Sequence, residues 1–140
     1  LRQAVARSLS TRPGARLAVV TVISPAASSS TDSSRSETAL HRMHLAQLKQ
    51  WAQGLETGGH GVSHHVLESG EVAQALVRYA EGNNVGLIIM GAATHGLQLQ
   101  RWIATVPMRV ARDAPCTVIL VKQQLPFAAL HRVNTSYPEN

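Results

Sequence analysis

Residues 85–121 read VGLIIMGAATHGLQLQRWIATVPMRVARDAPCTVILV, and their order decides the fold. Val85 to Met90 form the most apolar run of the chain, short and β-branched, as in a strand buried on both faces of a parallel sheet. The run ends at Gly91 and a polar loop. Val106 to Ala114 then carry helical spacing, with Thr105 placed to cap and Pro107 in the first turn, where a missing amide does no harm. Cys116 to Val121, CTVILV, reads as a second buried strand. Strand, helix and strand in this order imply a right-handed crossover between parallel neighbours.

The same alternation runs upstream. Arg16 to Ser24, RLAVVTVIS, is another β-branched strand, and Gly61 to Glu68, GVSHHVLE, is a strand of mixed polarity expected near a sheet edge. Leu1 to Ser10 place Leu1, Val5 and Leu9 on one helical face, stopped by Pro13 and Gly14. Glu37 to Leu55 predict a long helix with Leu40, Met43, Leu45, Leu48, Trp51 and Leu55 inward, His41 and His44 on an exposed face, and Gly58 and Gly59 at its end. A third helix follows Ser69, its expected cap, with Glu71 in the first turn. Val72, Ala75, Leu76, Tyr79 and Ala80 form its buried face, and Gly82, Asn83 and Asn84 end it. Pro25 to Ser36 read as a mobile loop too polar to order, and residues 123–140 as a tail beyond one domain over 1–122. The whole is an α/β class chain: an open parallel sheet with helices on both faces, Rossmann-like. Ligands of such sheets bind beyond the carboxyl ends of the strands, and Gly91 lies at one of those ends.

Composition narrows the function. The chain of 140 residues is 44% apolar, and no apolar run reaches the ~20 residues that cross a bilayer. A single cysteine, Cys116, excludes an internal disulfide and a tetracysteine zinc site, and fits a reducing cytoplasm. The net charge of +5 is spread along the chain, and with one phenylalanine, two tryptophans and two tyrosines there is no base-stacking stripe, so no nucleic-acid partner is expected.

VGLIIMGAATHG, followed by IATVPMRVARDAPCTVILVK, resembles the carboxyl half of a universal stress protein. The likeness extends back through SGEVAQALVRYAEGNN and RLAVVTVIS and so covers nearly all of Leu1 to Lys122. It implies a five-stranded parallel sheet of order 3-2-1-4-5 whose central strand 1 is absent from this chain, which begins at the helix after it. Unpaired buried amides cost about 1–3 kcal/mol each, so the sheet is expected to need a strand from upstream or from another chain. The segment Phe127 to Val133, FAALHRV, is a poor substitute.

The ATP-binding members of that family resemble GxxG, nine residues, then Gly and Ser or Thr. Laid on this chain, the pattern falls on Gly91, Thr94, Ala104 and Thr105. The first glycine and the final hydroxyl are kept; the other two glycines, which let backbone approach phosphate, are lost, and this argues against tight ATP binding. By the same resemblance Val22, Met90 and Val106 line the adenine or ribose side. The amino end of the helix after Thr105 keeps an anion-accepting character, with His95 and Arg101 nearby.

Other chemistry is weaker. His64 and His65 point to opposite faces of their strand, and with His60 they make a poor metal set. Cys116 reads as a small core residue, Trp51 and Trp102 as packing residues, and no hydrolase or Walker signature occurs, so no catalytic residue and no metal are assigned. The expectation is a stress-response or signalling regulatory domain, homodimeric through CTVILV, with a degenerate nucleotide loop. The alternatives are an ATP- or AMP-binding switch with slow hydrolysis, and a sensor domain within a larger kinase or transporter.

Overall fold

The computed structural model describes residues 1–25, 33–55, 59, 61–92 and 105–122, with residues 33–36 as backbone alone. Helices and strands alternate along it: α1 (Arg2–Ser10), β1 (Leu17–Ile23), α2 (Ser33–Ala52), β2 (Val62–Glu68), α3 (Val72–Gly82), β3 (Leu87–Ala92), α4 (Val106–Asp113) and β4 (Thr117–Lys122). The fold is α/β with parallel strands, as the sequence predicts. β1 pairs with β2 from Leu17 against Val62 to Ile23 against Glu68, and β3 pairs with β4 from Leu87 against Thr117 to Ala92 against Lys122. Among the described residues these remain two separate two-stranded sheets.

Helix packing fixes how the two pairs stand. α2 lies against β1 and β2; α3 packs on β1 and on α4, and α4 covers β3 and β4. With right-handed crossovers, α3 meeting both β1 and α4 is consistent with β1 and β3 as the inner strands and β2 and β4 as the outer ones. The chain direction reverses there. His65 on β2 meets Tyr79 on α3, ring centroids 5.3 Å apart at 49°, so His65 faces the α3 side and His64, its neighbour along the strand, faces the α2 side.

Local signals set the ends. α3 closes with Asn83 as its last cap and Asn84 at φ 54°, while the Val85 amide donates to the Ala80 carbonyl over 3.0 Å, a Schellman arrangement that returns the chain toward β3. α1 ends where the Ser10 and Thr11 hydroxyls donate to the Arg7 and Ser8 carbonyls. At the other end of α1 the Arg2 guanidinium donates to the carbonyls of Trp51 and Gln53, at 3.3 and 2.6 Å, and satisfies the carboxyl terminus of α2.

Several expectations need correction. α2 begins at Ser33, so 33–36, read as loop, are helical, while 26–32 lie outside the described residues. It ends at Ala52, with Gly54 at φ 80° making the turn, earlier than Gly58 and Gly59 suggest. Its inward stripe is also rotated. Leu45, Leu48 and Ala52 face the sheet, and stepping back four residues from Leu45 and Leu48 reaches His41 and His44, which are half-buried. Leu40 and Met43 are left 38% and 48% exposed. Ser69 does not cap α3: its hydroxyl accepts the Glu71 amide at 3.0 Å in a turn, and Glu71 itself holds the cap position. In α1 only Val5 of the expected stripe is buried, and Leu1 is 42% exposed.

The core is small. Val110 is fully buried under α4, with Val5, Ile23, Ala52, Ala73, Ala80 and Ala92 below a tenth exposed. Val110→Ala removes packing from the tightest point, and we expect a loss of about 2 kcal/mol, or a fall in Tm of roughly 8 °C. Leu40→Ala, on the solvent face of α2, is expected to change stability by less than about 0.5 kcal/mol; thermal unfolding of both variants checks the assignment of faces.

Burial raises the Tyr79 phenol above the ordinary tyrosine value of about 10. Because the folded form holds its proton more tightly, this contribution is complete below pH ~10 and is lost as pH rises through the folded value. Tyr79→Phe should therefore flatten the fall in stability as pH rises above ~10 and leave its acid side unchanged, as followed by urea unfolding on either side of that pH.

Candidate functional site

The carboxyl ends of the strands are the place where loops and helix starts converge. β1 carries Val22 one residue from its end, and β3 carries Met90 and Gly91 just before its last residue, Ala92. All three are half-buried. Only three residues separate α4 from β4, so α4 must run back toward the amino ends of β3 and β4, which sets its own amino terminus toward the carboxyl end. Thr105, Val106, Met90 and Gly91 thus belong to the same end of one βαβ unit, while Val22 lies near the carboxyl end of β1 in the other pair.

Thr105 holds the cap position of α4 in extended conformation, φ −71° and ψ 157°. Its carbonyl accepts the Arg109 amide at 3.0 Å, but its hydroxyl makes no capping hydrogen bond, which corrects the expectation of a side-chain cap. Pro107 stands in the first turn and offers no donor, so Val106 and Met108 supply the amides of this helix start. They retain the partial positive charge that suits an anion. What this helix start offers an anion is therefore two backbone donors at a helix terminus.

Gly91 sits inside β3 and not at the start of a turn, because the strand runs two residues beyond Met90. Thr94 and Ala104, the altered positions of the phosphate pattern, lie outside the described residues, as do His60, His95, Gly96, Arg101, Trp102 and the segment Phe127 to Val133. His41, His44, His64 and His65 are divided between the two faces of the β1–β2 pair. Among the described residues no group of three or more His, Cys, Asp or Glu side chains assembles that could hold a metal ion. Cys116 is a free thiol, half-buried just before β4.

Two shallow grooves flank Arg78 on the helical layer. One of about 630 Å³ runs between α3 and α4 beside Glu71, Gln74, Glu81, Arg109 and Asp113; the other, of about 390 Å³, lies at the end of β2 beside Glu68, Ser69 and Tyr79. Arg109 reaches Glu71 at 3.5 Å across the first groove, both side chains largely exposed, so the pair adds little stability. Arg112 grips the neighbouring Asp113 at 2.8 and 2.9 Å, and this hydrogen bond lowers the Asp113 carboxyl below the usual range. The Glu71–Arg109 pair joins residues 38 positions apart, and no spacing in the sequence signals it.

Among solved structures, the chain is similar to a universal stress protein in complex with cAMP, at 20% identity and a TM-score of 0.62, covering 88% of this chain and 87% of that one. The universal stress protein UspA from Lactobacillus plantarum aligns at 18% identity and a TM-score of 0.58, over 86% and 83% of the two chains. The hypothetical protein MJ0577, solved for a structure-based assignment of its biochemical function, aligns at 18% and 0.67, over 89% and 88%. At such identities the likeness is one of fold. No curated protein matches the chain. No helix among the described residues is long and apolar enough to cross a membrane. The sequence profile of the universal stress protein family matches residues 1–122, a span that contains every described residue, and the chain belongs to that family.

Proposed function

We propose that this chain is a regulatory module of a cellular stress response that acts by association in the cytoplasm, as a homodimer, and binds a nucleotide only weakly at the carboxyl ends of β1 and β3. The observation that carries the reading is the outer side of β4. Its free edge has no strand partner among the described residues, and Ile119, in the middle of that strand, is 38% exposed. A bare apolar edge strand invites pairing with another chain, and pairing with its own copy would close the assembly at two.

A weak nucleotide site is supported by the amino end of α4 beside Met90 and Gly91, and by the cAMP held in one structurally similar protein. Thr94 and Ala104 work against a tightly held triphosphate, since each sets a side chain where the ATP-binding pattern has glycine. The second reading, an ATP or AMP switch, draws on the same helix start and requires the loop to accept those side chains.

Sedimentation velocity at about 50 μM should show a dimer, and Ile119→Arg should shift it to monomer with little change in far-UV circular dichroism. A wild-type monomer under those conditions rejects the dimer. For the nucleotide, 1 mM AMP or cAMP is expected to raise Tm by about 3 °C, as for a Kd of roughly 0.3 mM, with ATP giving less and Gly91→Val abolishing the effect. A rise above about 6 °C with ATP would put the switch reading first, and no rise with any nucleotide would leave association alone.

A further inference from the structure

We propose that the groove at the carboxyl end of β2 binds a small zwitterion, an α-amino acid with an apolar side chain. No described residue of α4 lines it, so the site is independent of any nucleotide at that helix start. It holds about 390 Å³, with Leu67 and Glu68 of β2 on one side and Gln74, Ala75, Arg78 and Tyr79 of α3 on the other. Local geometry explains why these side chains meet. Leu67 lies two positions beyond His65 and so shares the face on which His65 meets the Tyr79 ring at 5.3 Å. Gln74 and Arg78, like Ala75 and Tyr79, are one helical turn apart, and the two rows stand beside the strand end. Between strand and helix the Ser69 hydroxyl accepts the Glu71 amide at 3.0 Å, which holds the turn that starts α3. Strand, turn and helix thus fix the walls.

The side chains specify the occupant. Among the described residues the Glu68 carboxylate and the Arg78 guanidinium form no ion pair, with each other or with another group, and the Gln74 amide and the Tyr79 hydroxyl make no hydrogen bond. The neighbouring groove between α3 and α4 differs, because there Arg109 answers Glu71 and Arg112 answers Asp113. The groove at β2 therefore presents two opposite charges that do not neutralise each other. An anion gains from Arg78 but is repelled by Glu68, and a cation the reverse; a zwitterion gains from both. The planar guanidinium fits a carboxylate through two parallel hydrogen bonds, while Glu68 accepts from an ammonium group. The Tyr79 phenol, which burial keeps protonated, is a further donor for the carboxylate end. Leu67, Ala75 and the Tyr79 ring make the rest of the wall apolar, which suits an aliphatic side chain. The volume lies at the small end of ligand sites, in keeping with an amino acid.

The test titrates the full chain with L-leucine, up to about 20 mM at pH ~7, and follows the backbone amides by nuclear magnetic resonance. Shifts should centre on residues 67–79 and saturate with a Kd of about 2 mM. Two analogues each remove one charge: leucinamide lacks the carboxylate and 4-methylpentanoate lacks the ammonium group. Each should bind about tenfold more weakly than leucine. Arg78→Met should erase the preference for leucine over leucinamide, and Glu68→Gln the preference over 4-methylpentanoate. Both side chains are exposed, so neither substitution should alter the far-UV circular dichroism. No shift at the highest concentration, equal binding of the three compounds, or a preference for leucine that survives both substitutions would overturn the proposal. So would shifts centred on the start of α4, which would put the ligand at the nucleotide end instead.

Discussion

Parallel pairing of backbone is the constraint on which this structure depends. Neighbouring strands that run the same way cannot be joined by a tight turn, so each of the two pairs carries a crossover helix, α2 for one and α4 for the other. α3 is the crossover between the pairs. It rests on β1 and on α4 and so ties the two pairs together. The direction of α4, with its amino terminus at the carboxyl end of β3, follows from that arrangement.

Among the described residues the ion pairs lie at the surface. The ion pairs found, Arg109 with Glu71 and Arg112 with Asp113, are solvent-exposed, and the lowered Asp113 carboxyl answers to its neighbour in sequence. Arg2 is different, because it ties α1 to the last carbonyls of α2, 49 and 51 residues away, and replaces the intrahelical partners that those carbonyls lack. A charged side chain at a helix carboxyl terminus also meets the favourable end of the dipole. Among the described residues, Arg2 and Arg109 thus hold helices to one another.

Membership of the universal stress protein family was legible because its evidence is local. A β-branched run stopping at glycine, a helix with proline in its first turn and the APC triplet before a last strand are each written in consecutive residues, Met90–Gly91, Val106–Pro107 and Ala114–Cys116. The candidate site was legible only in part for the opposite reason. Thr105 was identifiable as a cap by position, yet whether its hydroxyl turns to the first-turn amides depends on its surroundings, and it does not. The histidines of α2 misled for a related reason: Leu40 and Met43 fit an apolar stripe as well as Leu45 and Leu48 do, and only the position of the sheet chose between them.

The sequence by itself determined the alternation of helix and strand, the parallel direction of neighbouring strands and the family, since periodicity, β-branched runs and turn residues act within a few positions of one another. Tertiary structure alone decided which face of α2 turns inward, that Arg2 closes α2, that Glu71 meets Arg109, and that the four described strands stand as two pairs. These are relations between residues tens of positions apart. They are set by which surfaces can be packed against each other at once, a condition on the whole chain that no window of sequence contains.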